Sequence, residues 1–203
     1  DIKLIDQEKG YPNNLLTLEQ SSFEDLGQKY IDETKWARSS KPFFIDKMPN
    51  NFVHIGLIKL ILPKAKIIDA RRNPMDACFS CFKQYFAKGQ HFTYDLDDIA
   101  RYYKDYIRLI NYWKKRFPGE IFTINYEDVI KNPNERIADL LEFCNVKFEE
   151  NCLNFHKSKR PVKTASSEQV RQPIYKTGLD YWRNYEDHLE ILTKHFHDGE
   201  KKS

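Results

Sequence analysis

Apolar residues along the chain fall into short clusters and into longer runs with helical spacing. Three short clusters, each bounded by polar residues or proline, predict strands at Pro42–Asp46, Lys64–Ala70 and Glu120–Tyr126. Between and around them, apolar residues recur three and four positions apart, which predicts helices. The predicted helices lie within residues 1–41 and at Asn50–Leu62, Asn73–Phe86, Asp97–Phe117, Asn132–Cys144 and Tyr181–Phe196.

The order of these elements indicates the fold class. Strand, helix, strand, two helices, strand and helix in succession are typical of an α/β protein, in which helices flank a parallel sheet. We expect a single domain over residues 1–203, with a helical part at 1–41, an α/β core at 42–146, and a loop with a final helix at 147–203. Ligands of such sheets bind beyond the carboxyl ends of the strands.

Polar residues stand at the carboxyl ends of all three predicted strands. Lys47, Arg72 and Tyr126 mark these ends, and right-handed crossovers would bring them to one edge of the sheet. The helix Asn73–Phe86 offers free N–H groups and a partial positive charge at its start, and Arg72 adds a guanidinium that matches phosphate or sulfate. The Ser80 hydroxyl lies further along this helix. The sequence therefore predicts an anion site, although each residue alone is also typical of a surface or packing position.

Composition narrows the classes of function. The 203 residues include 33 basic and 30 acidic ones, a net charge of +3, whereas broad nucleic-acid binding usually needs a large basic surplus. No apolar run approaches the about 20 residues of a membrane span, and the first residues lack a signal-peptide pattern. Four cysteines without such a signal favour reduced thiols. We therefore expect a cytoplasmic protein that binds neither nucleic acid nor membrane.

Four long motifs give the chain a family resemblance. In order along the chain they are DKMPNNFVHIGLIKLILPKAKIIDARRNPMDACFSCFKQYF, INYEDVIKNPNERIADLLEFC, CLNFHKSKRPVKTASSEQVRQPIY and LDYWRNYEDHL. With them the chain resembles PAPS-dependent sulfotransferases, nearest to a bacterial group that is often fused to tetratricopeptide repeats and related to tyrosylprotein sulfotransferases. The resemblance covers roughly Leu15 to Leu192. It implies a P-loop NTPase-like sheet and transfer of a sulfuryl group from PAPS (3′-phosphoadenosine 5′-phosphosulfate) to an acceptor hydroxyl or amine, which leaves PAP (adenosine 3′,5′-bisphosphate).

The resemblance also implies roles for individual residues. Arg72 and Ser80 have the spacing of the family's 3′-phosphate motif, and Tyr126, in the YED motif, corresponds to a tyrosine near the nucleotide. Lys47, in DKMP, corresponds to the lysine aimed at the transferring sulfuryl group, and Ser166 to a serine that assists there. Basic residues around Ser166 would contact the cofactor or cover it. The implied catalytic residues are thus Lys47 and Ser166, and the implied cofactor-binding residues are Arg72, Ser80, Tyr126, Lys163 and Arg171.

One family motif is missing from these 203 residues. Sulfotransferases hold the 5′-phosphosulfate with a P-loop-like PRSGT turn, and the glutamate base of the tyrosylprotein enzymes follows it closely; neither is found here. We therefore expect an amino-terminally truncated domain that is inactive alone. A sheet without that strand would expose an edge and apolar surface, so we expect self-association as a homodimer or an aggregate. His54 is a candidate base, although such a histidine is more often a packed or surface residue.

Three other interpretations stay open. A zinc site would use Cys78 and Cys81 with a nearby histidine, but both cysteines fall inside a predicted helix, where buried thiols are more usual than ligands. A non-catalytic domain would bind anionic nucleotides or sulfated or phosphorylated partners. A nucleic-acid binder is disfavoured by the near-neutral charge. For the enzyme, the sequence leaves the acceptor open between a small molecule, a peptide and a glycan.

Overall fold

The chain is divided into two compact units. The computed structural model describes residues 10–38, 41–86, 89–157, 171–172 and 178–197. The units are Asp1–Ala65 and Lys66–Ser203, and each is described by itself. Among the helices of the described residues, none is both long and apolar enough to cross a membrane.

Two helices form the centre of the amino-terminal unit. Helix α1 spans Gln20–Glu33 and helix α2 spans Ile55–Ile61. Gly27 of α1 lies directly against the backbone of α2, because a Cβ atom at this position would overlap the carbonyl oxygen of Ile61. The close approach explains why a residue without a side chain occupies the middle of α1. The 3₁₀ turns described in this unit are Asn13–Thr17, Lys35–Ala37 and Pro49–His54.

The stretch Pro42–Asp46 does not form the predicted strand. Its backbone joins no sheet, and Phe43 and Ile45 are 66% and 86% exposed. A strand needs a neighbour for its N–H and C=O groups, and within the described residues the sheet consists of two other strands. The prediction was therefore wrong here, because apolar composition does not by itself supply a pairing partner. Self-association through such exposed side chains stays a prediction for light scattering.

A parallel pair of strands forms the base of the carboxyl-terminal unit. Strand β1 spans Ile67–Arg71 and strand β2 spans Ile121–Asn125, in register from Ile67–Ile121 to Arg71–Asn125. The second and third predicted strands are thereby confirmed. The helices of this unit are α3 (Pro74–Phe82), α4 (Leu96–Arg116), α5 (Tyr126–Lys131), α6 (Pro133–Phe143) and α7 (Glu190–His197).

Local sequence sets the ends of the longest helix, α4. The Asp95 carboxylate caps its start by accepting hydrogen bonds from the Asp97 and Asp98 N–H groups at 2.8 and 2.9 Å. Basic residues at 114–116 in the last turn complement the helix dipole. Gly119, just beyond, adopts a φ of +75°, which glycine tolerates without steric cost. These signals explain why the predicted and observed ends of this helix agree to within a residue.

The hydrophobic core of this unit lies where α3, α4 and α7 meet. A 3₁₀ segment, Tyr181–His188, runs into α7 and adds Trp182 to this core. The predicted terminal helix is therefore a 3₁₀ segment followed by a short α-helix. Packing in this core fixes the position of α3, and therefore also that of the two residues between β1 and α3, Arg72 and Asn73. Its buried members are Met75, Cys78, Phe79, Ile99, Ala100, Trp182, Leu189 and Leu192.

A buried polar network occupies one face of β1. The Asp69 carboxylate, 2% exposed, accepts hydrogen bonds from Arg71 Nε at 2.7 Å, from Thr123 Oγ1 at 2.8 Å, and from the Tyr106 hydroxyl. The Lys114 ammonium donates in turn to Thr123 Oγ1. Burial, with the hydrogen bond to Asp69 second, raises the pKa of Tyr106 well above its usual range. The network joins β1, β2 and α4 through charges withdrawn from water.

Candidate anion-binding site

Arg72 lies at the junction between β1 and α3. The strand ends at Arg71, and Asn73 caps the helix by accepting a hydrogen bond from the Met75 N–H at 2.9 Å. The Asn73 N–H donates to Glu127 Oε1 at 2.8 Å, which ties the start of α3 to α5. The sequence Arg-Asn-Pro therefore leads directly from a strand into a helix and places a guanidinium at the carboxyl end of β1.

The Arg72 side chain has partners on several sides. Its guanidinium lies 5.4 Å from the centre of the Tyr126 ring, within the range of a cation–π contact. Nη2 donates to the Gly178 carbonyl and lies 3.7 Å from Asp76 Oδ1, while Nε is buried without a hydrogen-bond partner. The side chain is 28% exposed. Arg72 is thus held in one orientation and still reaches solvent.

The backbone of Arg72 is also fixed. Its carbonyl oxygen accepts a hydrogen bond from the Tyr103 hydroxyl of α4 at 3.1 Å. Burial, followed by the nearby Cys78, raises the pKa of Tyr103 to about 12, so the hydroxyl keeps its proton and remains a donor. The end of β1 is therefore held by α4 from one side, while the guanidinium stays partly exposed and can meet an anion.

Negative as well as positive charges lie around the Arg72 side chain. The Arg72 guanidinium faces the Asp76 carboxylate of α3. A second carboxylate, that of Glu127 in α5, lies near the start of α3, where it accepts the hydrogen bond from the Asn73 N–H. A guanidinium can donate several hydrogen bonds in one plane, so it can hold an anion in addition to these internal partners. The arrangement suits a phosphate or sulfate that approaches from the exposed side of Arg72.

The structure brings together some of the predicted residues. Arg72 and Tyr126 are in contact, although Tyr126 begins α5 and does not end β2. Ser80 is exposed on α3, one helical turn beyond Asp76 and on the same face. No hydrogen bond between Ser80 and Arg72 occurs within the described residues. The eight-residue spacing therefore places Ser80 further along α3 and outside the immediate contacts of Arg72.

The other predicted residues belong to the amino-terminal unit, to a short described stretch, or to the part of the chain outside the described residues. Lys47 is exposed and belongs to the amino-terminal unit. Arg171 is exposed in the short described stretch 171–172. Lys163 and Ser166 lie outside the described residues. Their roles stay predictions.

His54, the candidate base, and Cys78, a candidate zinc ligand, each have a structural role. The His54 ring accepts or donates a hydrogen bond with the Tyr11 hydroxyl at 2.7 Å and packs against that ring. Cys78 is buried in α3, and burial raises the pKa of its thiol to about 12, which disfavours the thiolate that zinc needs. Within the described ranges, no cysteine belongs to a cluster of possible metal ligands.

The structure adds residues that sequence reasoning missed. Asp76 and Gly178 contact Arg72 directly, and Tyr103 holds its backbone. One signal for Asp76 was present, because an arginine and an acid four residues apart form a common helical pair. Nothing in the sequence pattern connects Gly178 to Arg72, since 106 positions separate them.

A comparison with known families decides the family of the chain. The profile of the Sulfotransferase family matches residues 6–150. The chain belongs to the sulfotransferase family. This confirms the resemblance inferred from the motifs around Arg72 and Tyr126.

Individual relatives of this chain differ from it in length. An uncharacterized protein of Aquifex aeolicus (strain VF5) is 37% identical over 198 residues, which are 96% of this chain and 26% of that protein. Among solved structures, the sulfotransferase domain from the curacin biosynthetic pathway superposes with a TM-score of 0.52 at 17% identity, covering 83% of this chain and 59% of that one. The chain thus spans about a quarter of the first relative and three fifths of the second. The likeness in structure confirms the α/β, P-loop-like sulfotransferase fold.

Proposed function

We propose that this chain carries the 3′-phosphate-binding part of a PAPS-dependent sulfotransferase. The observation that supports this most is the position of Arg72. It follows a buried parallel strand, precedes the capped helix α3 and stacks on Tyr126, in a chain of the sulfotransferase family. Strand ends of this kind are where α/β folds bind ligands.

Binding in this proposal uses residues of α3 and the segments beyond it. The Arg72 guanidinium donates two hydrogen bonds to the 3′-phosphate, and the Ser80 hydroxyl donates a further one from the exposed side of α3. Tyr126 holds the guanidinium over its ring by a cation–π contact. Lys163 and Arg171 add positive charge to the same nucleotide.

The transfer itself uses donors at the other end of the nucleotide. The bond between sulfur and the bridging phosphate oxygen breaks as the acceptor hydroxyl or amine forms its bond to sulfur, and a base takes the acceptor's proton. Negative charge grows on the bridging oxygen, so Lys47 and Ser166 stabilise the transition state by donating hydrogen bonds there. The products are PAP and a sulfated small molecule, peptide or glycan.

A second candidate is a sulfotransferase-like domain that binds anions without catalysis. The specific observation in its favour is that Arg72 is already engaged with Asp76 and Gly178. Such a domain would bind PAP or PAPS equally well and would form no sulfated product. Because the chain alone is expected to be inactive, radiolabelled sulfuryl transfer to a panel of phenols and tyrosine peptides is assayed with the full-length gene product. Sulfated product supports the enzyme, and its absence supports the binding domain.

Calorimetric titration of PAP into the chain tests the binding proposal. A charge-assisted hydrogen bond contributes about 1.5–3 kcal/mol, so Arg72→Ala, which removes two of them, should weaken PAP binding about 150-fold or more. Arg108→Ala is the matched control, because Arg108 is an exposed arginine of α4 whose ion pair within the described residues is with a neighbour on its own helix, Asp105. Equal PAP affinity in the two variants would refute the role of Arg72, and no binding to the unaltered chain would refute the proposal itself.

A further inference from the structure

Asp76 is a buried carboxylate that bonds to a distant segment of the chain. Its side chain is only 2% exposed, although it lies in the first turn of α3. Oδ2 accepts a hydrogen bond from the Asp180 N–H at 2.9 Å, and Oδ1 accepts one from the Trp182 N–H at 3.4 Å. Two backbone donors more than 100 positions away therefore converge on one side chain.

The same carboxylate also faces the proposed phosphate anchor. Asp76 Oδ1 lies 3.7 Å from Arg72 Nη2, and Nη2 donates to the carbonyl of Gly178, two residues before the first donor to Asp76. The contacts form a closed loop from Arg72 to Asp76, to Asp180 and back through Gly178. Burying an ionised carboxylate is costly unless it is paired, and this loop supplies the pairing.

The segment 178–182 is itself anchored in the core. Trp182 is buried among α3, α4 and α7. Asp180 has a φ of +53°, the left-handed conformation that turns the chain so that both N–H groups point at Asp76. A turn that is anchored by Trp182 and held by one carboxylate is an arrangement in which that carboxylate fixes the geometry.

We infer that Asp76 is a positioning residue of the anion site: its carboxylate pins the turn Gly178–Trp182 to α3 and thereby holds the Arg72 guanidinium toward the 3′-phosphate. The inference rests on the proposed function for its ligand and on the described contacts for its mechanism. Asp76 acts through Arg72 and the turn, so it needs no contact with the nucleotide.

An amide in place of the carboxylate tests this role with little change in shape. Asparagine offers one acceptor oxygen where aspartate offers two, so Asp76→Asn leaves either the Asp180 or the Trp182 N–H facing an NH₂ group. Amide exchange at these two positions should become about tenfold faster, and the Arg72 Nε–Hε cross-peak should shift or broaden, because the guanidinium loses its partner. Asp105→Asn is the control: it makes the same change at an exposed carboxylate that pairs with an arginine of the same unit, Arg108, and it leaves the buried networks intact.

Binding of PAP then separates positioning from simple charge. If Asp76 acts through Arg72, Asp76→Asn should weaken PAP binding about tenfold when Arg72 is present. In an Arg72→Lys background, the same substitution should weaken binding less than about twofold, because lysine keeps the charge but lacks the planar guanidinium that Asp76 orients. If Asp76 only opposes the anion with its charge, its removal should tighten binding in both backgrounds. Tighter binding, or equal weakening in both backgrounds, would overturn the inference.

The two proposals fail separately. No PAP binding by the unaltered chain would refute the proposed function, and the exchange and cross-peak measurements would still decide whether Asp76 holds the turn and the guanidinium. If Asp76→Asn does not fold, Gly178→Val tests the turn from its other side. A Cβ at 178 would already be in van der Waals contact with Arg72 Nη2 at 3.4 Å and the Tyr126 hydroxyl at 3.6 Å, so the two methyl groups of valine need room that the turn or the guanidinium must give. The same shift of the Arg72 cross-peak is expected, and an unchanged signal would contradict the link between turn and guanidinium.

Discussion

Replacing Asp69 should cost more stability than any surface charge of the carboxyl-terminal unit. Asp69 is withdrawn from water and accepts three hydrogen bonds, from Arg71, Thr123 and Tyr106. Asp69→Asn removes the charge and leaves the Arg71 guanidinium, itself mostly buried, without its counter-ion. Removing one partner of a buried ion pair costs about 3–5 kcal/mol. We expect the lower end, about 3 kcal/mol, because the amide oxygen still accepts one or two of these bonds.

The expected loss is large enough to measure by thermal unfolding. For the 138 residues of this unit (66–203), each kcal/mol lowers Tm by about 3–4 °C, so Asp69→Asn should lower it by about 9–12 °C. Because the chain has two compact units, unfolding is best followed through the NMR signals of β1, so that the carboxyl-terminal unit alone is measured.

The control is a carboxylate in an exposed ion pair of the same unit. Asp105→Asn breaks the pair with Arg108, whose side chains are 65% and 83% exposed, and exposed pairs contribute about 0–1 kcal/mol. Tyr106→Phe, which removes one hydrogen bond and keeps the Asp69 charge, should fall between the two variants, at about 1.5 kcal/mol. If Asp69→Asn and Asp105→Asn differ by less than about 1 kcal/mol, water reaches the network and the reasoning from burial is refuted.

Three further outcomes are expected. A hydrogen bond from His195, aided by other neighbours, holds the pKa of Asp97 below its ordinary value of 3.8. This carboxylate therefore adds stability above about pH 4, and that stability is lost as the pH falls toward the pKa of the folded state. In Asp97→Asn the midpoint of urea unfolding should depend less on pH below about pH 4. Gly27→Ala should destabilise the amino-terminal unit despite the better helix propensity of alanine, because its methyl group meets the Ile61 carbonyl, and amide exchange in α1 measures this. Cys78 should resist iodoacetamide in the native state and react after unfolding, as peptide mass spectrometry would show, because burial raises its pKa to about 12.

Much of the α/β unit could be predicted because its signals are local. Apolar clusters, proline positions and capping residues lie close together in the sequence, and β1, β2, α3 and α4 follow from them. The contact of Arg72 with Tyr126 also followed, since parallel strands end at the same edge of a sheet.

The failures of prediction share a physical cause, which is dependence on distant partners. Pro42–Asp46 has the composition of a strand, but a strand exists only where a second strand supplies hydrogen bonds. The hydrogen bond from the Asp180 N–H to Asp76, and the one from Arg72 to the Gly178 carbonyl, depend on how the end of the chain packs on α3. No periodicity in the sequence reports such contacts.

The two adjacent arginines after β1 illustrate how one strand end can serve stability and binding at once. Successive side chains of a strand point to opposite sides, so Arg71 turns to the buried Asp69 network, and Arg72 turns to Asp76 and Tyr126. Arg71 neutralises the buried Asp69 carboxylate, whereas Arg72 remains partly exposed. Loss of Arg71 should therefore appear mainly as lost stability and loss of Arg72 mainly as lost PAP affinity, although the two residues are neighbours in sequence and carry the same charge.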